Sequence, residues 1–298
     1  MVGGARLVPV LVAAVTSAAC VPTTDAKAPA LDARPERAID RAVVTVIEPD
    51  ATVATMLAPL VEAAGPQALF VPETSVRCPA DMALVGERVC VDRWEGTIVT
   101  FAAGHESAWS PYSTLDDVTA PFRAKSVGGV IPQGYISGTQ AERACRSSGK
   151  RLCTSVEWQL GCRGARNTMF PYGEERRARV CNDDVRARHP VVEAASHHTI
   201  RSGRLWTDGM NLPDINQLPD TLIPTGSREG CVSTDGLFDM VGNLHEWVAD
   251  ADGTFRGGYY MDTSQNGEGC SYQTTAHDFD YHDYSTGFRC CADPETVE

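Results

Sequence analysis

The chain has 298 residues, of which 43% are hydrophobic and 22% charged, an ordinary globular balance from which one large domain or two modest ones can form a core. Its formal net charge of −13 argues against a nucleic-acid partner, because binding phosphates requires a basic surface. Eleven cysteines are many for this length. Behind an export signal they indicate disulfides, whereas in the cytosol they would indicate metal binding.

The first 19 residues are predicted to be a signal peptide. One positive charge precedes an apolar run over residues 7–15, which is shorter than the roughly 20 residues that span a bilayer, and small residues follow. They lead into Cys20, as in a bacterial lipobox, whose cysteine is lipidated and becomes the mature N-terminus. Ser17 occupies a position where that motif prefers leucine. Ordinary secretion with cleavage near Ala19 is the alternative.

Cysteine parity favours the lipid anchor. Setting Cys20 aside leaves ten of the eleven cysteines, an even number that suits a disulfide framework. Residues 20–74 are rich in alanine, proline and charge and are predicted to be a flexible tether. We therefore expect an exported protein held by its lipid on a bacterial membrane, which we take to be the outer one.

The folded domain is predicted to cover residues 75–298, where Cys, Trp, Gly and Asp become frequent. Apolar and polar residues alternate roughly from Met82 to Val91, a pattern typical of a strand or hairpin. Cys78 and Cys90 bracket this segment and are predicted to bridge it.

Two helices are predicted next. Ser137 or Thr139 can cap the first helix, and Gly149 can end it. Thr154 and Glu157 have the spacing of a capping box, which predicts the start of the second helix.

The polar stretch over residues 167–230 is predicted to form long loops. The later apolar runs are short and interrupted by glycine, which is typical of tightly turned strands.

The order of several motifs resembles the formylglycine-generating enzyme, or sulfatase-modifying factor, domain family over roughly residues 78–293. The motifs that carry the resemblance are Asp92-Arg93-Trp94-Glu95, Gly149-Lys150-Arg151-Leu152 with Glu157-Trp158 and Arg163-Gly164, Phe170-Pro171-Tyr172-Gly173, the run from Gly236 to Trp247, Arg256-Gly257-Gly258-Tyr259-Tyr260, and Gly287-Phe288-Arg289.

This resemblance implies an α+β fold, a variant of the C-type lectin fold with two helices, a small antiparallel sheet and extensive ordered loops stapled by disulfides. It also implies the disulfides Cys145–Cys290 and Cys162–Cys270. For the cysteines that remain we favour Cys181–Cys231 and Cys153–Cys291, while other pairings stay open.

Copper-dependent members of the family carry a catalytic cysteine pair just after the Arg-Gly-Gly motif. Here the corresponding positions fall at or near Asp262 and Gly267, and residues 256–267 contain no cysteine. Without two thiolates copper(I) lacks its soft ligands, so copper is not expected. A displaced catalytic role for Cys270 is the alternative to its structural disulfide.

The resemblance also implies calcium. One family site corresponds to the side chains of Asp239 and Glu246 with the main-chain carbonyls of Gly242 and Leu244, an oxygen set that suits this cation. The alternative is that Asp239 caps a turn and Glu246 pairs with Arg256 or Arg289. A second site would begin at Asn182 and the carbonyl of Asp183.

Aromatic and imidazole side chains suggest a binding cleft. Tyrosine offers contact area with a polar tip, which suits peptide or glycan recognition. His277 and His282 lie in an acidic run that could hold a transition metal, although a polar loop lining a groove is the simpler interpretation. The tyrosines considered for the cleft are Tyr259, Tyr260, Tyr272, Tyr281 and Tyr284.

Three functions compete. The first is a non-catalytic domain that binds a peptide, protein or glycan, favoured because the thiol pair is missing. The second is a formylglycine-generating oxidoreductase that acts on a cysteine of exported sulfatases. The third is an iron enzyme that uses His277 and His282, which we rank last.

Overall fold

The computed structural model describes residues 75–297 apart from 184, 185 and 202. The predicted signal peptide, the lipidated Cys20 and the tether lie outside these residues. Within the described ranges, no helix is both long and apolar enough to cross a membrane.

Thirteen short strands form four small sheets, with strand orders β1-β13, β2-β3-β12-β7, β5-β4-β6 and β10-β9-β8-β11. The strands are β1 Ser75–Arg77, β2 Met82–Val85, β3 Val89–Asp92, β4 Gly96–Ala102, β5 His105–Ala108, β6 Phe122–Ser126, β7 Arg151–Leu152, β8 His245–Trp247, β9 Phe255–Arg256, β10 Gln273–Thr274, β11 Thr286–Phe288, β12 Cys290–Ala292 and β13 Glu295–Val297.

The strand pairing departs from the predicted antiparallel sheet at one place. All pairs are antiparallel except β8 with β11, which run parallel with Glu246 opposite Gly287. The long connection between these two strands leaves room for the crossover that a parallel pair requires. The first and last described strands pair with each other, Ser75 opposite Val297, which closes the domain.

Both predicted helices form. α1 (Gly138–Arg146) begins at Ser137 rather than Thr139, since Ser137 and Gln140 complete a capping box. α2 (Ser155–Arg163) has the predicted box between Thr154 and Glu157.

A third helix, α3 (Pro190–Ala195), lies in the stretch predicted to be loops. Its proline occupies the first turn, where a missing N–H costs nothing, and Val191 and Ala194 are buried. Three short 3-10 helices, Asp208–Asn211, Ile215–Gln217 and Gly269–Ser271, also interrupt the loops.

Five disulfides hold the loops to the core. They include the three pairings expected for Cys78–Cys90, Cys145–Cys290 and Cys162–Cys270 and the two favoured for the remaining cysteines, Cys153–Cys291 and Cys181–Cys231. Few helices, small sheets and long stapled loops agree with the α+β, C-type-lectin-like fold expected from the sequence.

Candidate functional site

An open cavity of about 430 Å³ lies beside the sheet that contains β8 and β9, and we call it the aromatic cleft. Its size is within the range of small-ligand sites. Four separate segments of the chain build it. Its lining includes the buried His245, Phe255, Tyr272, Asp283, Tyr284 and Ser285, the half-buried His189, Met210, Tyr259, His277 and Tyr281, and the exposed Trp206 and Asn266.

A glycine turn directs Tyr259 into the cleft. Gly257 and Gly258 follow β9 with φ values of +83° and +68°, in the left-handed region that favours glycine. A Cβ atom on Gly258 would lie 2.2 Å from the carbonyl oxygen of Asp262, so no side chain fits there. The backbones of Tyr259 and Asp262 then exchange two hydrogen bonds that close the turn.

His245 lies on β8 at the floor of the cleft. Its Nδ1 is 3.2 Å from Ser285 Oγ, and its Nε2 is 3.3 Å from the hydroxyl of Tyr272. Burial lowers the pKa of His245 to about 3, and nearby His277 adds to the effect. The imidazole is therefore neutral at physiological pH and serves as a hydrogen-bonding aromatic ring rather than a cation.

Asp283 supplies the negative charge of the floor. Its Oδ1 accepts hydrogen bonds from the backbone N–H and the hydroxyl of Ser285, each 2.7 Å long. Its Oδ2 accepts one from the hydroxyl of Tyr281 at 2.6 Å. Burial raises the pKa of Tyr281, and the Asp283 carboxylate raises it further. Tyr281 therefore keeps its proton and holds the carboxylate in place.

Two more tyrosines line one wall. The hydroxyls of Tyr259 and Tyr284 lie 3.2 Å apart, and that of Tyr284 lies 3.4 Å from His189 Nε2. Burial raises the pKa of Tyr259 to about 12, so its hydroxyl is protonated. His189 Nδ1 is buried and has no hydrogen-bond partner among the described residues.

Flat rings shape the other wall and the mouth. His277 stacks on Tyr281 with ring centroids 3.8 Å apart and planes 11° from parallel. Trp206 is 57% exposed and meets His189 edge to face at 4.9 Å. An exposed indole at the entrance offers a ligand a large apolar face.

The carboxylate of Asp262 holds the backbone of the segment over residues 262–267, which we matched from the sequence to the family's catalytic cysteine pair. Asp262 Oδ1 accepts hydrogen bonds from the backbone N–H groups of Ser264 and Gln265, and its Oδ2 accepts one from the Tyr272 hydroxyl. Cys270 is bonded to Cys162. In the part of the chain that the structure describes, every cysteine belongs to one of the five disulfides.

The first predicted calcium site fits that ion only in part. Glu246 has both oxygens on the guanidinium of Arg289, at 2.6 and 2.7 Å, and also accepts a 2.7 Å hydrogen bond from Trp158 Nε1. Its negative charge is therefore already paired with Arg289, and protein donors occupy three of its roughly four lone-pair sites in this arrangement. Asp239 Oδ2 accepts a hydrogen bond from the backbone of Gly226. The pairing of Glu246 with Arg289 is one of the alternatives that the sequence left open.

Three buried carboxyl groups, Glu95, Asp239 and Glu246, lie near the guanidinium of Arg289, which bonds to Glu246, and Arg228 also acts on Asp239. Glu95 is fully buried and accepts hydrogen bonds from the Asn243 side chain and the Leu244 backbone. Burial raises the pKa of Glu95, as do the neighbouring charges of Asp239 and Glu246. Burial likewise raises the pKa of Asp239, to about 6.

At the second predicted calcium site, the side chain and carbonyl of Asn182 and the side chain of Asp183 are engaged in protein contacts. The Asn182 amide donates to the carbonyl of Thr221 and to Asn243 Oδ1, and the Asn182 carbonyl accepts from the backbone of Asn243. Asp183 accepts hydrogen bonds from the side chain of Arg176. Among the described residues, no three His, Cys, Asp or Glu side chains are grouped to hold a metal ion.

Four of the five tyrosines considered for the cleft line it. Tyr260 instead packs behind the wall and donates a hydrogen bond to Asn216. The two histidines of the acidic run separate, because His277 faces the cleft while His282 contacts Asn211 and Asp116. Their arrangement gives no support to a shared iron site.

Several residues of the cleft could not be singled out from the sequence, among them Trp206, His189 and His245. Trp206 and His189 come from the long polar stretch, where neither periodicity nor a motif singles them out. His245 lies inside the Gly236–Trp247 motif, one residue before Glu246. Its place in that motif was the signal available in the sequence.

The model of the family described as "Sulfatase-modifying factor enzyme 1-like domain" matches residues 71–294. Two proteins named formylglycine-generating enzyme, from Mus musculus and Bos taurus, are each 26% identical to this chain over 121 residues, or 40% of this chain and 27% of theirs. The match thus spans about a quarter of those relatives' own length.

Solved structures with related folds are more distant. The U1 and I1 variants of the Major Tropism Determinant are 15% identical, with TM-scores of 0.40 and 0.42, and the match covers 75% of this chain and 55% of theirs. Treponema denticola variable protein 1 is 14% identical over 66% of this chain and 62% of its own, with a TM-score of 0.27. Similarities of this size assign no function.

Proposed function

The chain belongs to the family of sulfatase-modifying factor enzyme 1-like domains, and on that basis we propose that it is a ligand-binding member of the family, without copper–thiol chemistry. The ligand is a peptide, protein or glycan, and it binds in the aromatic cleft. The observation that carries the proposal is the cleft itself, an open cavity of about 430 Å³ with tyrosine hydroxyls inside and Trp206 at its mouth. Fold alone does not give function, so the argument rests on this site.

The described cysteines support the same proposal. Copper(I) and a cysteine substrate both require a free thiolate, and residues 262 and 267 are aspartate and glycine. The cysteine closest in sequence, Cys270, is bonded to Cys162.

A binding screen with a matched pair of variants tests the proposal. The purified full-length protein is screened against peptide and glycan arrays, and each hit is titrated by calorimetry. Trp206→Ala should weaken binding at least tenfold, because tryptophan is among the residues that most often contribute a large share of the binding energy. Val156→Ala removes another exposed apolar side chain, 76% exposed on α2, and should leave binding unchanged. Equal binding by wild type and Trp206→Ala would place the ligand outside the cleft.

The second candidate is an oxidoreductase of the formylglycine-generating type, acting on a cysteine of exported sulfatases. The name of the mouse and bovine relatives supports it. The full-length protein is reconstituted with copper(I), analysed for bound copper and incubated with a sulfatase peptide. One copper per chain together with an aldehyde product would establish this activity and refute the first proposal.

We also propose that calcium binds near Asp239, with the carbonyls of Gly242 and Leu244 as further ligands. The excess of buried carboxyl groups over the guanidinium of Arg289 supports the proposal, because buried charges are normally paired. Glu246 does not take part while it is bound to Arg289. Calcium would supply positive charge to the turn that contains Asp239, Gly242 and Leu244, and it would have no role in the aromatic cleft.

A further inference from the structure

The floor of the aromatic cleft holds a buried carboxylate that has no cationic partner. Asp283 is 3% exposed, and no lysine or arginine of the described chain lies within ion-pair distance of it. The described lining of the cleft also contains neither residue type. Buried charges in proteins are normally paired, so this anion lacks the counter-charge that its position calls for.

The hydrogen bonds of Asp283 leave room for one more donor. Oδ1 accepts two hydrogen bonds, both from Ser285, whereas Oδ2 accepts one, from Tyr281. A carboxylate offers about four lone-pair sites in all. Oδ2 can therefore accept a further hydrogen bond from a ligand.

His189 and His245, two of the three histidines that line the cleft, do not supply the missing positive charge. Burial lowers the pKa of His245 to about 3. Burial also lowers the pKa of His189, and Arg186 lowers it further. Both rings are therefore neutral at pH 7, although the Asp283 carboxylate acts on His189 in the opposite direction to burial and Arg186. Burial raises the pKa of Tyr259 and Tyr284, and the Asp283 carboxylate adds to the rise in each case.

The walls also favour a cation. Tyr259, Tyr281 and Trp206 line the same cavity as Asp283, and aromatic faces attract ammonium and guanidinium groups. An anionic ligand would meet the carboxylate of Asp283 with no lysine or arginine in the described lining to offset the repulsion.

We propose that the aromatic cleft binds an organic cation, the guanidinium or ammonium group of an arginine or lysine side chain or of a free amine. The cation would donate to Oδ2 of Asp283 and lie against the aromatic walls. This inference rests on the proposed ligand-binding function and names the chemical class of the ligand.

Two probes of matched shape and different charge test the inference on the wild-type, full-length protein. Nα-acetyl-arginine amide and Nα-acetyl-citrulline amide have nearly the same shape, but only the first is charged. Calorimetry should give at least tenfold tighter binding for the arginine probe than for the citrulline probe. Added salt should reduce this difference in affinity, because it screens the charge of the arginine probe. Agmatine and Nα-acetyl-lysine amide separate a free amine from a peptide side chain as the source of the cation.

Two variants test whether the carboxylate of Asp283 causes the preference for the charged probe. Asp283→Asn should abolish the preference for arginine over citrulline, whereas Asp278→Asn makes the same change at an exposed position of the same loop and should preserve it. Circular dichroism checks that both variants fold, and the wild-type comparison stands without them.

The possible outcomes separate this inference from the proposed function. Equal affinity for the two probes, tighter binding of Nα-acetyl-glutamate amide, or no binding of any cation at millimolar concentration overturns the inference. An array hit that is neutral or acidic and depends on Trp206 would still uphold the cleft as a ligand site.

Discussion

Glu246 and Arg289 form the most deeply buried ion pair of the described domain, with side chains 1% and 0% exposed. Glu246→Gln keeps the shape of the side chain but leaves the guanidinium of Arg289 without its bidentate partner. We expect the free energy of unfolding to fall by about 3–5 kcal/mol, the usual cost of breaking a buried pair by removing one partner.

Urea unfolding measures this loss, and an exposed pair provides the control. Glu142 binds Arg146 four residues along α1, on the surface. Glu142→Gln should cost only about 0.3–0.5 kcal/mol. Similar losses at the two positions would show that burial does not set the strength of the Glu246 pair.

The proposed binding of calcium near Asp239 can be tested through its effect on the melting temperature. If the ion binds there, EGTA should lower the melting temperature of the full-length protein at pH 7.5, by several degrees when free calcium had been about 100-fold above its dissociation constant. Asp239→Asn should remove the response while keeping the side-chain size. Melting curves that do not respond to EGTA in the wild type would leave Asp239 as a turn-capping residue that accepts from Gly226.

At the scale of elements, the capping box of α2 fixes the helix that carries Trp158 and Cys162. The Thr154 hydroxyl accepts a hydrogen bond from the backbone N–H of Glu157, and the Glu157 carboxylate accepts one from the backbone N–H of Thr154. Thr154→Ala should reduce the free energy of unfolding by about 1 kcal/mol, a typical cost of losing an N-cap.

Thr154→Ser retains the hydroxyl and is the matched control for the cap. Urea unfolding of both variants should show a loss for alanine and almost none for serine. An equal loss in both would point to the methyl group of Thr154, rather than the cap, as the stabilising feature.

At the scale of the whole molecule, buried carboxyl groups set the pH dependence of stability. Burial raises the pKa of Asp92 and of Asp239 from 3.8 to about 6. Both bind protons more tightly in the folded protein than in the unfolded chain. Their contribution to stability is therefore complete below about pH 4 and is lost as the pH rises through about 6.

In EGTA the melting temperature should accordingly be higher at pH 5 than at pH 7.5, and Asp239→Asn should reduce the difference. Differential scanning calorimetry at the two pH values measures it. A melting temperature that increases from pH 5 to pH 7.5 would contradict the assignment of raised pKa values to these two groups.

The membrane attachment is a separate prediction about the whole chain. Cys20 should carry the lipid and form the mature N-terminus, so the protein should fractionate with membranes and Cys20→Ser should release it. Mass spectrometry of the mature N-terminus measures the modification. An unmodified N-terminus at a later residue would support ordinary secretion instead.

The sequence predicted the fold and much of the covalent framework because family motifs and cysteines keep their order along the chain. It also predicted the capping box of α2 and a choice of two cap residues for α1, since a cap depends on residues close together in the chain. The cleft was harder to predict. Trp206 and His189 reach it only because long loops fold back against β8 and β9, and no local pattern encodes that return.

The ion-pair partner of Glu246 could not be predicted from local sequence either. The motif around Glu246 resembles a calcium-binding segment, but whether a carboxylate meets a cation or a guanidinium depends on Arg289, 43 residues later. The parallel pairing of β8 with β11 brings these two residues together, and nothing in either short strand specifies its partner.

The neighbouring residues Cys290 and Cys291 on β12 have a consequence for how the protein acquires its native bonds. Side chains alternate between the two faces of a strand, and here Cys290 bonds to Cys145 while Cys291 bonds to Cys153. An exchange of partners between these adjacent thiols would rotate β12 and shift its register against β3 and β7. We therefore expect the reduced chain to recover its native disulfides more fully in a redox buffer that permits thiol–disulfide exchange than under conditions that only oxidise it.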